Sequence, residues 1–170
     1  LEREGRLAEH LAPQIDGRVT NYFEWLGAGV YSPDYRSGSM HGGAECVEAL
    51  YFGAGKQAFY LRVDLRAGIL DEYPELEIRV NLNGSSHARM HAFVSNHRLG
   101  TVQFWKESEP LLVPLATGSQ VRAAYEKIFE LGLDYTLLGI HPDETIQAQI
   151  SLWANNLPLQ VIPQEGWISV

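Results

Sequence analysis

The sequence predicts an all-β fold: a two-layer antiparallel β-sandwich of about ten strands, preceded by a short amino-terminal helical arm. Three observations carry this. The hydrophobic pattern repeats every two residues rather than every 3.6 along most of the chain. Turn dipeptides separate the alternating segments at short intervals. The alternation of helices and strands that builds a parallel sheet does not occur.

Residues 1–12, LEREGRLAEHLA, read as the end of an upstream helical region or linker, and the domain is expected over 13–170. Asp16-Gly17 is expected to turn the chain into its first strand, with the Asp16 side chain accepting backbone N–H bonds in an Asx turn. Calcium ligation is the alternative reading of Asp16. The stretch NYFEWLGAGVY, residues 21–31, crowds four rings and a carboxylate into eleven positions. Read as a strand, it places Phe23, Trp25 and Tyr31 on one face and Tyr22, Glu24 and Leu26 on the other, with its glycines allowing a bulge or close backbone approach.

Clean alternation follows. From Gln57, Phe59, Leu61, Val63 and Leu65 share a face against Tyr60, Arg62 and Asp64. From Glu75, Leu76, Ile78, Val80 and Leu82 oppose Glu77, Arg79, Asn81 and Asn83, and the run stops at the turn signal Asn83-Gly84. This pattern means one face on a core and one in water. Further strands are read over Ala88–Ser95, Thr101–Trp105, Thr145–Ala154, Leu157–Ile162 and Trp167–Val170. Turns are read at Asn96-His97, Glu109-Pro110, Asn155-Asn156 and Gln164-Glu165-Gly166. The segment 119–139 fits two templates. Ser119 can cap a helix carrying Val121, Tyr125, Ile128 and Leu131 on one face, and Tyr125, Phe129, Leu131 and Leu133 are also spaced as in strands. The all-β surroundings favour strands, followed by one helical turn over Asp134–Gly139.

The composition narrows the function. Of 170 residues 45% are hydrophobic and 20% charged, which suits a globular domain with a sizeable core, and the net charge of −8 with no basic block argues against nucleic-acid or anionic-membrane partners. The single cysteine, Cys46, sits beside Val47 in an apolar pattern and reads as a small buried hydrophobe. No run reaches the ~20 apolar residues of a membrane span. The opening residues are too charged for a signal peptide, so a cytoplasmic location is expected. Because the chain opens with Leu rather than Met, it reads as a piece of a longer protein.

Catalytic motifs are missing from the sequence. It has no Gly-x-Ser-x-Gly elbow and no phosphate-binding glycine loop. His87 and His91 fall on one strand face roughly 13 Å apart, too far to share an ion. Carboxylates at Asp16, Glu24, Asp34, Glu45, Asp64 and Glu130 form no dense acidic loop, which leaves calcium as a minority reading and no other cofactor. Aromatic residues carry the functional reading, because sugar C–H faces stack on Trp and Tyr while hydroxyls need planar polar partners. Trp153 and Trp167 are expected in core or half-buried positions and Trp105 at an exposed strand end. Tyr31 ends its strand where the loop 32–43 begins, and that loop adds Tyr35, Arg36, Met40 and His41. Tyr31, Tyr35, Arg36, His41 and Trp105 are therefore the candidate carbohydrate-binding residues.

The run Pro13–Tyr31 with GlySerMetHisGly at 38–42 resembles the carboxy-terminal β-domain of glycoside hydrolase family 57 enzymes of the amylopullulanase and α-amylase type. ValGluAlaLeuTyrPheGly at 47–53, AlaPheTyrLeuArgValAsp at 58–64, IlePheGluLeuGlyLeuAspTyrThrLeuLeuGlyIle at 128–140 and the ending from Pro158 to Ile168 follow in the family's order. Val161 and Asp134 depart from it. The looser sandwich pattern is similar to family 9 carbohydrate-binding modules and DOMON domains. The resemblance implies a non-catalytic accessory domain of an α-glucan-acting hydrolase or transglycosylase. Its partners would be α-glucan or maltooligosaccharide and an upstream catalytic barrel. That barrel carries the family's catalytic residues, so none is assigned here. Two alternatives stand beside this: a structural domain that only packs on the barrel, and a DOMON-like heme or sugar sensor.

Overall fold

The computed structural model describes residues 13–19, 22–32, 46–107, 109–111 and 120–169. The arm 1–12 and the loop carrying Tyr35, Arg36, Met40 and His41 lie outside them. Two antiparallel sheets face each other, as the period-two pattern predicts. The first contains β1 (Gly29–Tyr31), β2 (Val47–Ala54), β3 (Ala58–Leu65), β8 (Val121–Tyr125) and β9 (Phe129–Asp134) in the order β1-β2-β3-β9-β8. The second contains β4 (Glu75–Asn83), β5 (His87–Ser95), β6 (Arg98–Lys106), β7 (Glu109–Leu111), β10 (Gln147–Ala154) and β11 (Leu157–Ile162) in the order β11-β10-β4-β5-β6-β7. A short β12 (Ile168–Ser169) adds to β10. Two single-turn helices, α1 (Ile69–Glu72) and α2 (Tyr135–Leu138), link β3 to β4 and β9 to β10.

Alternation fills the space between the sheets. Leu50, Phe52, Phe59, Leu61, Phe129, Leu131 and Leu133 from one sheet meet Leu76, Ile78, Val80, Met90, Val94, Phe104 and Ile150 from the other, all nearly or fully buried. Cys46 belongs to this core, and burial pushes its thiol up to about 11, so it is no nucleophile at neutral pH. At the sandwich's edge, Gln160 Oε1 of β11 accepts the Cys46 and Val47 N–H groups at 2.8 and 3.1 Å, tying one sheet to the start of β2 in the other. The tight hairpins are the expected ones: Asn96 and His97, and Asn155 and Asn156, all take positive φ. Of the segment 119–139, the described residues 120–139 resolve as strand–turn–strand and then α2, as the surrounding pattern favours. Glu109-Pro110 is a correction, because it lies inside β7; the turn residue is Glu107, with φ 56°, and Pro110 sits in an edge strand where its missing N–H matters little.

The aromatic stretch is the larger correction. Tyr22–Trp25 forms a 3-10 turn, not a strand, and only Gly29–Tyr31 pairs, with β2. Phe23, Trp25 and Tyr31 therefore do not share a strand face. Residues 13–19 and 22–28 lie as a strap over the outward face of the five-stranded sheet. Trp25 packs there on Ala58 and Tyr60, with Ile15, Ala28 and Tyr51 around it, in a small core separate from the main one. The reason is polar. Glu130, on the outward side of β9, is completely buried beneath the strap. Its Oε1 accepts the Asp16 and Gly17 N–H groups at 3.1 and 2.9 Å, and its Oε2 accepts Trp25 Nε1–H at 3.2 Å. A 3-10 turn swings the indole N–H onto that carboxylate, which a strand over 21–31 does not allow. Asp16 makes the expected Asx turn, accepting Arg18 N–H at 2.9 Å. Gly17, with φ 79°, lies so close to the β8–β9 turn that a Cβ would meet Glu126 N at 2.5 Å.

Trp25→Ala is expected to cost about 3–5 kcal/mol in denaturant unfolding, and Trp25→Phe, which keeps most of the ring but loses the bond to Glu130, about 1–3 kcal/mol. A negligible loss for Trp25→Phe would mean that packing alone holds the strap. Burial raises the Glu130 carboxyl to about 7 against the donors that oppose it. The unfolded chain gives up that proton near 4.5, so the group's contribution is full below that pH and is lost as pH rises toward 7. Wild type should therefore lose roughly 3 kcal/mol relative to Glu130→Gln across this window. A pH-independent difference would contradict it.

Candidate functional site

The outward face of the six-strand sheet path carries no strap among the described residues. Period two turns Glu77, Arg79 and Asn81 of β4, Arg89, His91 and Phe93 of β5, Ser151 and Trp153 of β10, and Gln103 and Trp105 of β6 to this side. The register then sets them in rows across the strands. Trp153 stands opposite Glu77, and Glu77 opposite Phe93. Ser151, Arg79, His91 and Gln103 make a second row. Gln149, Asn81, Arg89 and Trp105 make a third.

The first two rows are bonded into a ladder that reaches the third at Trp105. Trp153 Nε1–H donates to Ser151 Oγ at 2.8 Å, which fixes the indole along its own strand. The Arg79 guanidinium carbon lies 3.8 Å from the centre of that indole, a cation–π contact worth about 0.5–2 kcal/mol. Arg79 Nη2 donates to Glu77 Oε1 at 3.0 Å, and Glu77 Oε2 meets His91 Nδ1 at 3.0 Å. The His91 ring stands edge-on to Trp105 at 4.7 Å, and Arg89 stacks over Trp105 at 4.5 Å. Glu77 and Ser151 are only 8% and 6% exposed on a face that ought to be wet. Arg79 Nε–H is buried with no hydrogen-bond partner. Burial and the Arg79 charge hold His91 below its ordinary value, with Glu77 opposing.

A hollow of about 260 Å³ opens at the Trp153 end. Trp153 and Phe93 give it ring surface, Glu75 and Glu77 carboxylates, and Asn155 and Asn156 lie on its rim at the β10–β11 turn. Two register irregularities shape it: β5 shifts between Ala92 and Val94 against β6, and β10 between Leu152 and Trp153 against β11. Bulges of this kind re-aim side chains and bend the strand. Rings flanked by planar donors and acceptors suit a polyhydroxylated ring. They do not suit two-carboxylate hydrolysis, since Glu75 and Glu77 lie on one strand rather than across a cleft.

Of the predicted site residues, Trp105 belongs to this face. Tyr31 ends β1 in the other sheet, half-buried against the main core, so the two are not brought together. Tyr35, Arg36 and His41 lie outside the described residues. Trp167 is a correction: at 39% exposed it is neither core nor half-buried. Trp153 is half-buried as expected, but on the outward face. Sequence reasoning missed Glu77, Arg79, His91, Phe93 and Trp153 because it read the outward positions of these strands as merely solvated. The available signal was their makeup, since guanidinium, imidazole and rings stand where short polar residues would do.

Because the His91 value is depressed, its neutral form contributes stability above the ordinary value near 6.5, which is lost as pH falls through the folded value. An NMR titration should place His91 below the ordinary histidine value, and Glu77→Gln should lower it further by removing the one carboxylate that raises it. An upward move on that substitution would mean that Glu77 does not act on His91 as drawn. Compared with known proteins, the chain matches no family model, no curated protein and no solved structure.

Proposed function

We propose that this chain is a non-catalytic accessory domain that holds α-glucan for a glycoside hydrolase or transglycosylase acting elsewhere in the same polypeptide. The observation that carries the reading is the bonded ladder Trp153–Arg79–Glu77–His91–Trp105 on an open sheet face, ending in a hollow with two rings and four planar polar groups. Rings supply stacking for the C–H faces of a sugar, and carboxylate, amide and guanidinium groups pair with its hydroxyls. The choice of α-linked glucose over other sugars rests on the resemblance of segments 13–31 and 128–140 to the family 57 β-domain.

A packing role against an upstream barrel has its own support on the opposite side. Val19, Leu26 and Val30, on or next to the strap, are each more than half exposed. The two roles use different faces, and both can hold.

Native electrophoresis through gels containing soluble starch tests the binding role. Retardation of wild type is expected, and Trp153→Ala should weaken it at least tenfold, as for a central aromatic anchor, while the variant remains folded at the temperature of the gel. Wild type that migrates as it does without starch would overturn the reading.

A further inference from the structure

The ladder bonds Ser151, Arg79, Glu77 and His91 of the first two rows to one another but leaves the polar groups of the third row out. Among the described residues, Asn81 makes no side-chain hydrogen bond and Arg89 has no carboxylate partner, its one contact being the Trp105 ring. Gln149 reaches only the Gly166 carbonyl, at a long 3.4 Å. This row also extends one position further than the β10–β6 pairing. Strand β12 pairs Ala148 with Ile168 and Gln147 with Ser169, so the next step sets Trp167 beside Gln149. Ile168 is buried and Trp167 exposed, so alternation turns the indole to the outward face. The result is a strip Trp167–Gln149–Asn81–Arg89–Trp105 running across the sheet, with an indole at each end and amide and guanidinium groups between. Four interstrand steps at ~4.8 Å make it roughly 19 Å long.

We infer that a linear glucan chain lies across the strands along this strip, bridging Trp167 and Trp105. This rests on the carbohydrate-binding reading above and deepens it. A mono- or disaccharide cannot reach both indoles, whereas a chain of several sugar rings can, with its hydroxyl edges over Gln149, Asn81 and Arg89. Running along a strand instead would leave one of the two platforms unused, because they stand at opposite ends of the same row. The hollow beside Trp153 is a separate, single-ring site near the strip.

Isothermal titration of the whole chain with maltose and with maltoheptaose decides this. Maltoheptaose should bind at least about tenfold more tightly, a gain of about 1.4 kcal/mol. Trp167→Ala should abolish that gain and leave maltose affinity unchanged, and Trp105→Ala should abolish the gain as well. Asn81→Ala, a small truncation at a solvent-facing position, serves as an independent variant and should reduce the gain without altering Tm. Equal affinity of wild type for both sugars would overturn the strip while leaving carbohydrate binding in place, as would variants that keep the full gain. No binding of either sugar would remove the carbohydrate reading, and the strip with it.

Discussion

A fully buried carboxylate, Glu130, governs the layout of this domain. An ionisable group on the outward side of a sheet strand would ordinarily face water, and removing it from water without partners is costly. Here the chain folds the strap over it and supplies two backbone N–H groups and an indole N–H. The strap's other interactions follow from that seat. Gly17 accepts Lys127 and Ile128 N–H on its carbonyl, and Glu24 accepts Gln14 N–H, so the strap is fixed to the β8–β9 turn and to itself. One outward face of the sandwich is thereby roofed. The opposite face, where the long hairpins β4–β5–β6 lie, is left to do something else.

That opposite sheet carries prolines in both of its outer strands, Pro158 and Pro110, which remove donors where an unprotected edge would invite a further strand. Its central strands are nine residues long and joined by tight turns, so their outward positions stay in register over several rows. Register is what turns single polar residues into a ladder. A one-residue slip of β5 against β4 would send Arg89, His91 and Phe93 into the core, and the burial of Met90, Ala92 and Val94 forbids it.

How much of this was legible from the sequence differs between the two faces. The period-two runs specified β3, β4, β5 and β10, and Asn96-His97 and Asn155-Asn156 specified two hairpins, because these depend on local pattern and on side chains that tolerate positive φ. The strap was misread for a physical reason. Tyr22–Trp25 has strand-like residues, but its conformation is set by Glu130, 105 positions from Trp25 along the chain, and no local pattern encodes that partner. The ladder was half legible. The alternation showed which residues face outward, yet their pairing across β10, β4, β5 and β6 depends on strand order, which the sequence does not display. Only Trp105 was picked out, from its place at a strand end.

The two faces also resolve an apparent contradiction in burial. Glu77 and Ser151 lie on the solvent side of their sheet and are nevertheless almost inaccessible, while Trp167 and Arg89 beside them are exposed. Simple surface residues would show the reverse, with the carboxylate wet and the indole tucked down. The inversion means that side chains of the first two rows hold one another in fixed positions. Ordering a free surface side chain on binding costs about 0.5–1.5 kcal/mol, so a ladder already ordered by the fold is spared that loss at each rung. The buried Arg79 Nε–H is the remaining cost, since an unpaired buried donor is worth about 1–3 kcal/mol of lost stability. The contacts that the same guanidinium makes to Glu77 and to the Trp153 ring offset it.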